Sequence, residues 1–274
     1  MSRKTEHHIG PWQLKKTVVG VLALAAALVG FLGSAGAQDA RAQALLEKVI
    51  AAHGGIQAWH NLKDMTFTIT HVALNPHGDV AGATVSLYYM KRHGKTRVET
   101  ITGKGLLAQG FDGQKPWATL DGRPETSEEA LKRAHFLSVN WWYWMGIPFK
   151  LKDPGVMLRY KGASTFRGKP VNILEVTFEK GVGETSDRYT YSIDQETYQI
   201  LFVEFRLEPG VWPNVGGPRP RRSTWLDYKK EGPFTLHTRR IFYENPELTD
   251  KRAILLFRDF TFNSGLPDQL FASP

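Results

Sequence analysis

The sequence predicts a mainly β (α+β) protein, a large antiparallel sheet curled around a helical cover, and three observations predict it. Period-two alternation recurs in roughly ten to twelve segments between residues 65 and 262. Helix-period stretches occur at the start of this region and once in its middle. The strands are two-faced: Leu201, Val203, Phe205 and Leu207 alternate with Phe202, Glu204 and Arg206, while Leu174, Val176 and Phe178 alternate with Glu175 and Thr177. One face is therefore apolar and the other wet. A long twisted sheet must curl or close, and its apolar side becomes a concavity that needs a cover. The two helical segments are the available cover.

Taken in order, residues 1–17 are polar and basic, and 18–33 (VVGVLALAAALVGFLG) form an uninterrupted run of apolar residues and glycine. This reads as a signal peptide. Ala35-Gly36-Ala37 fits a processing site, so residues 1–37 are expected to be removed and 38–274 to form one domain; Ala42-Gln43-Ala44 is a second candidate site. The expected location is the periplasm or the exterior. The alternative is an uncleaved membrane anchor, with residues 34–37 extending the run towards a spanning length.

Residues 39–53 place Ala42, Leu45, Val49 and Ala52 at helical spacing, and Gly54-Gly55 ends that helix. A second helical turn follows over 56–62. From Met65 the period becomes two, with turns at 75–79, 93–94, 103–105 and 112–113 dividing strands expected at 84–91, 96–102, 106–111 and 117–120. These are antiparallel hairpins in sequence order. Thr126 with Glu129 forms a capping box for a helix to about Met145, and Pro148 forbids its continuation. Strands resume at 157–160, 172–178, 188–193, 200–207, 224–229, 235–243 and 253–262, with one long irregular loop at 209–221.

Composition excludes several chemistries. There is no cysteine, which removes disulfides, thiol catalysis, thiolate metal ligands and a lipid-attachment site together. Arg3, Lys4, Lys15 and Lys16 against Glu6 carry +3 of the net charge of +8. The remaining charge, about +5, is scattered apart from Pro218-Arg-Pro-Arg-Arg222 and accompanies no nucleic-acid motif.

Five strings carry a family resemblance: Ala52-His-Gly-Gly-Ile-Gln-Ala-Trp59, Phe111-Asp-Gly113 with Trp117, Pro148-Phe-Lys-Leu-Lys-Asp-Pro-Gly155, Asp187-Arg-Tyr189 before Ile193-Asp194, and Leu266-Pro-Asp-Gln-Leu-Phe271. With them the chain, from about residue 45 to 274, resembles an uncharacterised group of exported bacterial proteins related to the LolA-like lipoprotein-carrier superfamily. The resemblance implies an incomplete, strongly curved antiparallel barrel covered by helices, whose concavity receives acyl chains in the carrier members. It carries over no catalytic residue, because those carriers have none. The chain departs from them in its length, in the loop at 209–221 and in lacking cysteine.

The densest signal is Phe136–Leu151, FLSVNWWYWMGIPFKL, which holds three of the eight tryptophans in four residues. On a helix, Leu137, Trp141, Trp144 and Met145 share a broad face flanked by Phe136, Val139 and Trp142, leaving little polar side. Such a segment is buried nearly all round or lines something. Its readings are a core lid, a lid over an apolar ligand, or a segment at a membrane interface. Strand alternation assigns Phe67, Leu87, Tyr89, Val176, Phe178, Val203 and Phe205 to the same concavity as Trp141, Trp144 and Met145.

Other chemistry is poorly signalled. His53 and His60 are separated by Gly54-Gly55 and lack a third ligand, so no metal or other cofactor is expected. A nucleophile elbow is absent outside the look-alike Gly33-Ser-Ala-Gly36. Glu175, Glu204, Asp227 and Asp259 read as a solvated sheet face rather than paired catalytic acids, and residues 181–186 as a hairpin turn rather than a phosphate cradle.

The leading expectation is an exported, non-enzymatic carrier or binding protein for a lipid or other apolar ligand. The alternatives are a carbohydrate-binding module or carbohydrate-active enzyme using Trp117, Trp212 and Trp225 as stacking platforms, and an envelope scaffold with a filled core. In the loop, Trp212 beside Arg219, Arg221 and Arg222 presents an apolar tip with positive charge, suited to an anionic membrane or an acidic envelope partner; the plainer reading is a glycine- and proline-rich connector.

Overall fold

Asp39 opens the first helix in the computed structural model, which describes residues 39–92, 94–182, 187–206 and 220–273. Its Oδ1 accepts from the backbone N–H groups of Arg41 and Ala42 at the helix start, and its Oδ2 from the N–H of Tyr160 at 2.8 Å. One carboxylate thus caps helix α1 (Ala40–Ala52) and ties it to the sheet. These hydrogen bonds hold the Asp39 carboxyl below the usual carboxylate range. The expected signal peptide lies outside the described residues.

Helix α2 (Ile56–Asn61) follows, then strands β1 (Asp64–Leu74), β2 (Val80–Lys91), β3 (Lys95–Thr102), β4 (Gly105–Phe111), β5 (Pro116–Leu120) and the two-residue β6 (Arg123–Pro124). Helix α3 (Glu128–Gly146) interrupts them. Its cap is Ser127, whose Oγ accepts from the Ala130 N–H, one residue later than the Thr126 expected. Strands β7 (Val156–Phe166), β8 (Lys169–Phe178), β9 (Arg188–Asp194), β10 (Ile200–Arg206), β11 (Arg221–Glu231), β12 (Phe234–Tyr243) and β13 (Lys251–Phe262) complete the sheet, and a 3-10 turn (Asp268–Phe271) follows.

All thirteen strands form one antiparallel sheet in the order β6-β5-β4-β3-β2-β1-β13-β12-β11-β10-β9-β8-β7. The sheet is curved and does not close, as the resemblance implied. Its edges are β6, where Pro124 blunts pairing, and β7. Helix α3 packs on β3, β4 and β5 near its start, while Trp144 in its last turn meets Phe205 of β10 at 5.1 Å and Trp225 of β11 at 6.0 Å. The sheet therefore bends around α3, with α1 against β7.

The tryptophan cluster points in two directions. Trp141 and Trp144 face the sheet, Trp141 lying 5.6 Å from Tyr88 and 5.7 Å from Phe257. Trp142 turns the other way, to Trp59 of α2, which itself stacks on Phe149 at 5.2 Å. Aromatic surface on both sides is what lets one helix bind a sheet and a second helix together.

One sequence expectation is corrected here. Leu87 and Tyr89 do not face the concavity, because β2 pairs with β1 so that Tyr88 lies opposite Phe67 and Leu87 and Tyr89 lie opposite Thr68 and Thr66. Both phases of β2 are apolar enough to be inner, and the Phe67–Tyr88 stack at 5.1 Å fixes Tyr88 and Met90 there instead. On the outer face Tyr89 donates to Glu99, and the C-terminal segment closes over the adjoining strands: the Trp117 indole N–H donates to the Phe271 carbonyl at 2.8 Å, and Lys91 binds Asp268.

Candidate functional site

A cleft of about 760 Å³ lies between α3 and the inner face of the sheet. Leu137, Asn140, Trp141 and Trp144 form its helical wall; Ile69 and Tyr88 from β1 and β2, Leu255 from β13, Phe242 from β12 and Phe205 from β10 form the sheet wall. Its size is that of a small-molecule or acyl-chain site. Of the sequence-predicted cavity residues, Trp141, Trp144 and Phe205 line it. Phe67, Met145, Val176, Phe178 and Val203 sit on the same side of the sheet but contribute to the packed core around it. Phe178 meets α3 through Tyr143, at 6.4 Å between rings.

The residue that sequence reasoning missed is Arg240. It is 1% exposed, yet it lines the cleft. Its guanidinium lies 4.1 Å from the centre of the Trp225 ring and 4.9 Å from that of Trp144, stacked between sheet and helix. Its Nε–H donates to His237 Nε2 at 2.6 Å, and Nη2 donates to the Trp144 carbonyl at 3.4 Å. Among the described residues no carboxylate pairs with it.

A local distortion makes this possible. Trp225 stands opposite Arg240 and Tyr228 opposite His237, with Asp227 between them at φ 56° and the Thr238 hydroxyl donating to its carbonyl at 2.7 Å. His237 and Arg240, three residues apart, thereby both reach Trp225, whereas a regular strand points such a pair to opposite faces. Burial holds the His237 imidazole well below its ordinary pKa, with the Arg240 charge acting the same way. It is thus a neutral acceptor. Burial also pulls Arg240 down to about 9, which leaves it a cation at neutral pH. The signal in the sequence was faint: Arg240 stands in phase with Phe242, but Arg239-Arg240 reads first as a solvated pair.

The other candidates fall elsewhere. Arg221 lies at the rim of the cleft. Arg222, with a side chain 11% exposed, is ion-paired to Glu204 at 2.8 Å on the outer face, so it is not a free surface charge. Trp212 and Arg219 lie outside the described residues. Trp117 and Trp225 are 3% and 1% exposed and offer no stacking platform to a sugar. His53 is buried, with Nδ1–H donating to the Val49 carbonyl, while His60 is exposed. Asp227 and Asp259 pair with Arg239 and Arg258, and Glu175 faces Arg188.

No curated protein sequence matches the chain. Solved structures do. The LolA superfamily protein NE2245 from Nitrosomonas europaea superposes with a TM-score of 0.55 at 13% identity, covering 85% of this chain and 97% of that one. A DUF1329 family protein from Desulfovibrio piger superposes at 0.51 with 14% identity, covering 84% and 97%. At such identities the likeness is one of fold: the chain shares the curved, helix-covered antiparallel sheet of these structures. The sequence itself places the chain in a family: a family model matches residues 23–253, and the protein belongs to DUF6503, a family of unknown function.

Proposed function

We propose that the protein is an exported, non-enzymatic carrier or binding protein that holds a lipid or other apolar ligand in the cleft between α3 and the sheet. The observation that carries this reading is the cleft itself, about 760 Å³ walled by Trp141, Trp144, Phe205 and Leu255. Each methylene buried there is worth ~0.8 kcal/mol, so a ten-carbon chain gains about 8 kcal/mol before ordering costs. Affinity then needs no reacting group. The open volume favours this over a scaffold with a filled core, and the burial of Trp117 and Trp225 disfavours the carbohydrate reading. In this proposal residues 1–37 direct export and 38–274 act as one half-barrel unit.

Organic extraction of the purified protein followed by mass spectrometry tests it. A co-purified lipid is the expected result; clean extracts together with glycan-array binding would move the assignment to carbohydrates. Trp141→Ala is expected to weaken binding of a fluorescent fatty acid by about ten-fold, because the ring faces the cleft from the helix. Unchanged affinity in a folded variant removes α3 from the ligand wall.

Delivery is proposed to involve the loop at 209–221, through Trp212, Arg219 and Arg221. Basic residues near an anionic surface contribute ~1 kcal/mol each. The protein is therefore expected to co-sediment with anionic vesicles more than with neutral ones, and Arg219→Gln with Arg221→Gln to reduce that excess. Equal sedimentation with both removes the loop from the mechanism.

A further inference from the structure

The cleft is apolar in its walls but not in its charge. Arg133, Arg221, Arg240 and Arg252 line it, against Glu244 as the acidic lining residue. Arg252 is accounted for by Glu244 and Asp250, at 3.7 and 3.3 Å. Arg240 is different in kind: it is buried and its hydrogen bonds run to a neutral imidazole and a backbone carbonyl. Rings of Trp225, Trp144, Phe257 and Trp141 surround its guanidinium within 6.0 Å. Aromatic faces stabilise a cation, but they do not replace a counter-anion in a low-dielectric site. A guanidinium also presents a planar fork that matches a carboxylate or phosphate.

We propose that Arg240 is the anion-recognition residue of the cleft and that the ligand class is an anionic amphiphile, bound with a carboxylate or phosphate monoester against Arg240 and its chain along Trp141, Phe205 and Leu255. The inference rests on the carrier reading, since it takes the same cleft to hold an apolar chain. It adds a ligand class and an orientation. Because Arg240 is 1% exposed, the group that meets it has to be a small anionic head rather than a bulky one.

The test compares dodecanoate, dodecyl phosphate and dodecanol as displacers of a bound fluorescent probe at neutral pH, on the exported form proposed above, residues 38–274. The two anions are expected to bind at least about ten-fold more tightly than the alcohol, the size of one charge-assisted contact. Arg240→Met is expected to bring the acid-to-alcohol affinity ratio close to one, and Arg240→Lys to retain part of the preference. Carboxyl-labelled dodecanoate should titrate, when bound to the unaltered protein, below its free value, because an adjacent guanidinium favours the ionised form. This measurement and the acid-to-alcohol ratio need no variant, so they hold even if Arg240→Met fails to fold. Equal binding of acid and alcohol overturns the role of Arg240 and leaves the carrier reading standing. Binding of none of the three overturns both. Acetate or inorganic phosphate competing at the affinity of the amphiphiles would show a site for free anions and overturn the amphiphile assignment.

Discussion

Trp225→Ala is expected to lower the unfolding free energy by about 3–5 kcal/mol, read as a fall in the denaturation midpoint with little change in slope. The residue is 1% exposed and its indole N–H donates to Ser223 Oγ at 3.2 Å. Its ring stacks on His237 at 4.2 Å, meets Trp144 edge-on at 6.0 Å and carries the Arg240 guanidinium at 4.1 Å. Truncation therefore does more than open a void. It strips one aromatic face from a buried cation and removes one of the sheet rings that Trp144 of α3 meets. Trp225→Phe keeps a ring under the guanidinium and should recover a large part of the loss. A decrease below about 1 kcal/mol for the alanine variant would mean that the site collapses without consequence and that the stack does not organise the core.

The second large effect is a loss of stability on mild acidification. His53 closes α1, 2% exposed, with Nδ1–H donating to the Val49 carbonyl at 2.7 Å and the ring edge-on to Tyr228. Burial lowers its pKa to about 4, against an ordinary value near 6.5. The folded state thus holds the neutral imidazole while the unfolded chain binds a proton below about pH 6.5. The stabilisation is complete above that pH and disappears as the pH falls through 4, a change of about 3 kcal/mol from this residue. His237 is displaced in the same direction and adds to it. The carboxylates held below their ordinary range, Asp39, Asp112, Glu128, Asp194 and Asp268, take up protons in the unfolded chain only below about pH 5, so the upper part of the interval, from 6.5 to about 5, belongs to histidine. Denaturant titrations across that interval should show a steep fall, and His53→Gln a shallower one. A flat profile would mean that His53 is protonated in the folded protein.

Much of the architecture was legible because it rests on period two. Leu174, Val176, Val203 and Phe205 lie on the inner face where their alternation with polar neighbours put them. Where alternation loses contrast, the reading failed: in β2, Val85, Leu87 and Tyr89 compete with Tyr88 and Met90, and only the cross-strand partner on β1 decides between them. The candidate site was half visible. Trp141, Trp144 and Phe205 announced an apolar wall, but Arg240 depends on a distortion shared by β11 and β12 that brings His237 to the same ring. No local pattern encodes that. Trp225 stands out in the sequence as a large aromatic for binding, and its burial beneath α3 is a property of the closed structure alone.

The strand order has a consequence for how the chain reaches this state. β1 to β6 and β7 to β13 are each a run of neighbours in sequence, and the two runs are spliced at one place, where β1 lies beside β13 and Met65 faces Phe262. Every other strand pairing joins neighbours in sequence. This one closes a loop of about two hundred residues, at an entropic cost of roughly 4–5 kcal/mol before any contact repays it. Each half can assemble its hairpins as it emerges, but the halves remain unjoined until the last strand arrives, and topology of this kind sets a slow final step. The C-terminal end is therefore the keystone: a chain cut before β13 retains nearly all of its sequence and none of the seam that makes its two meanders one sheet.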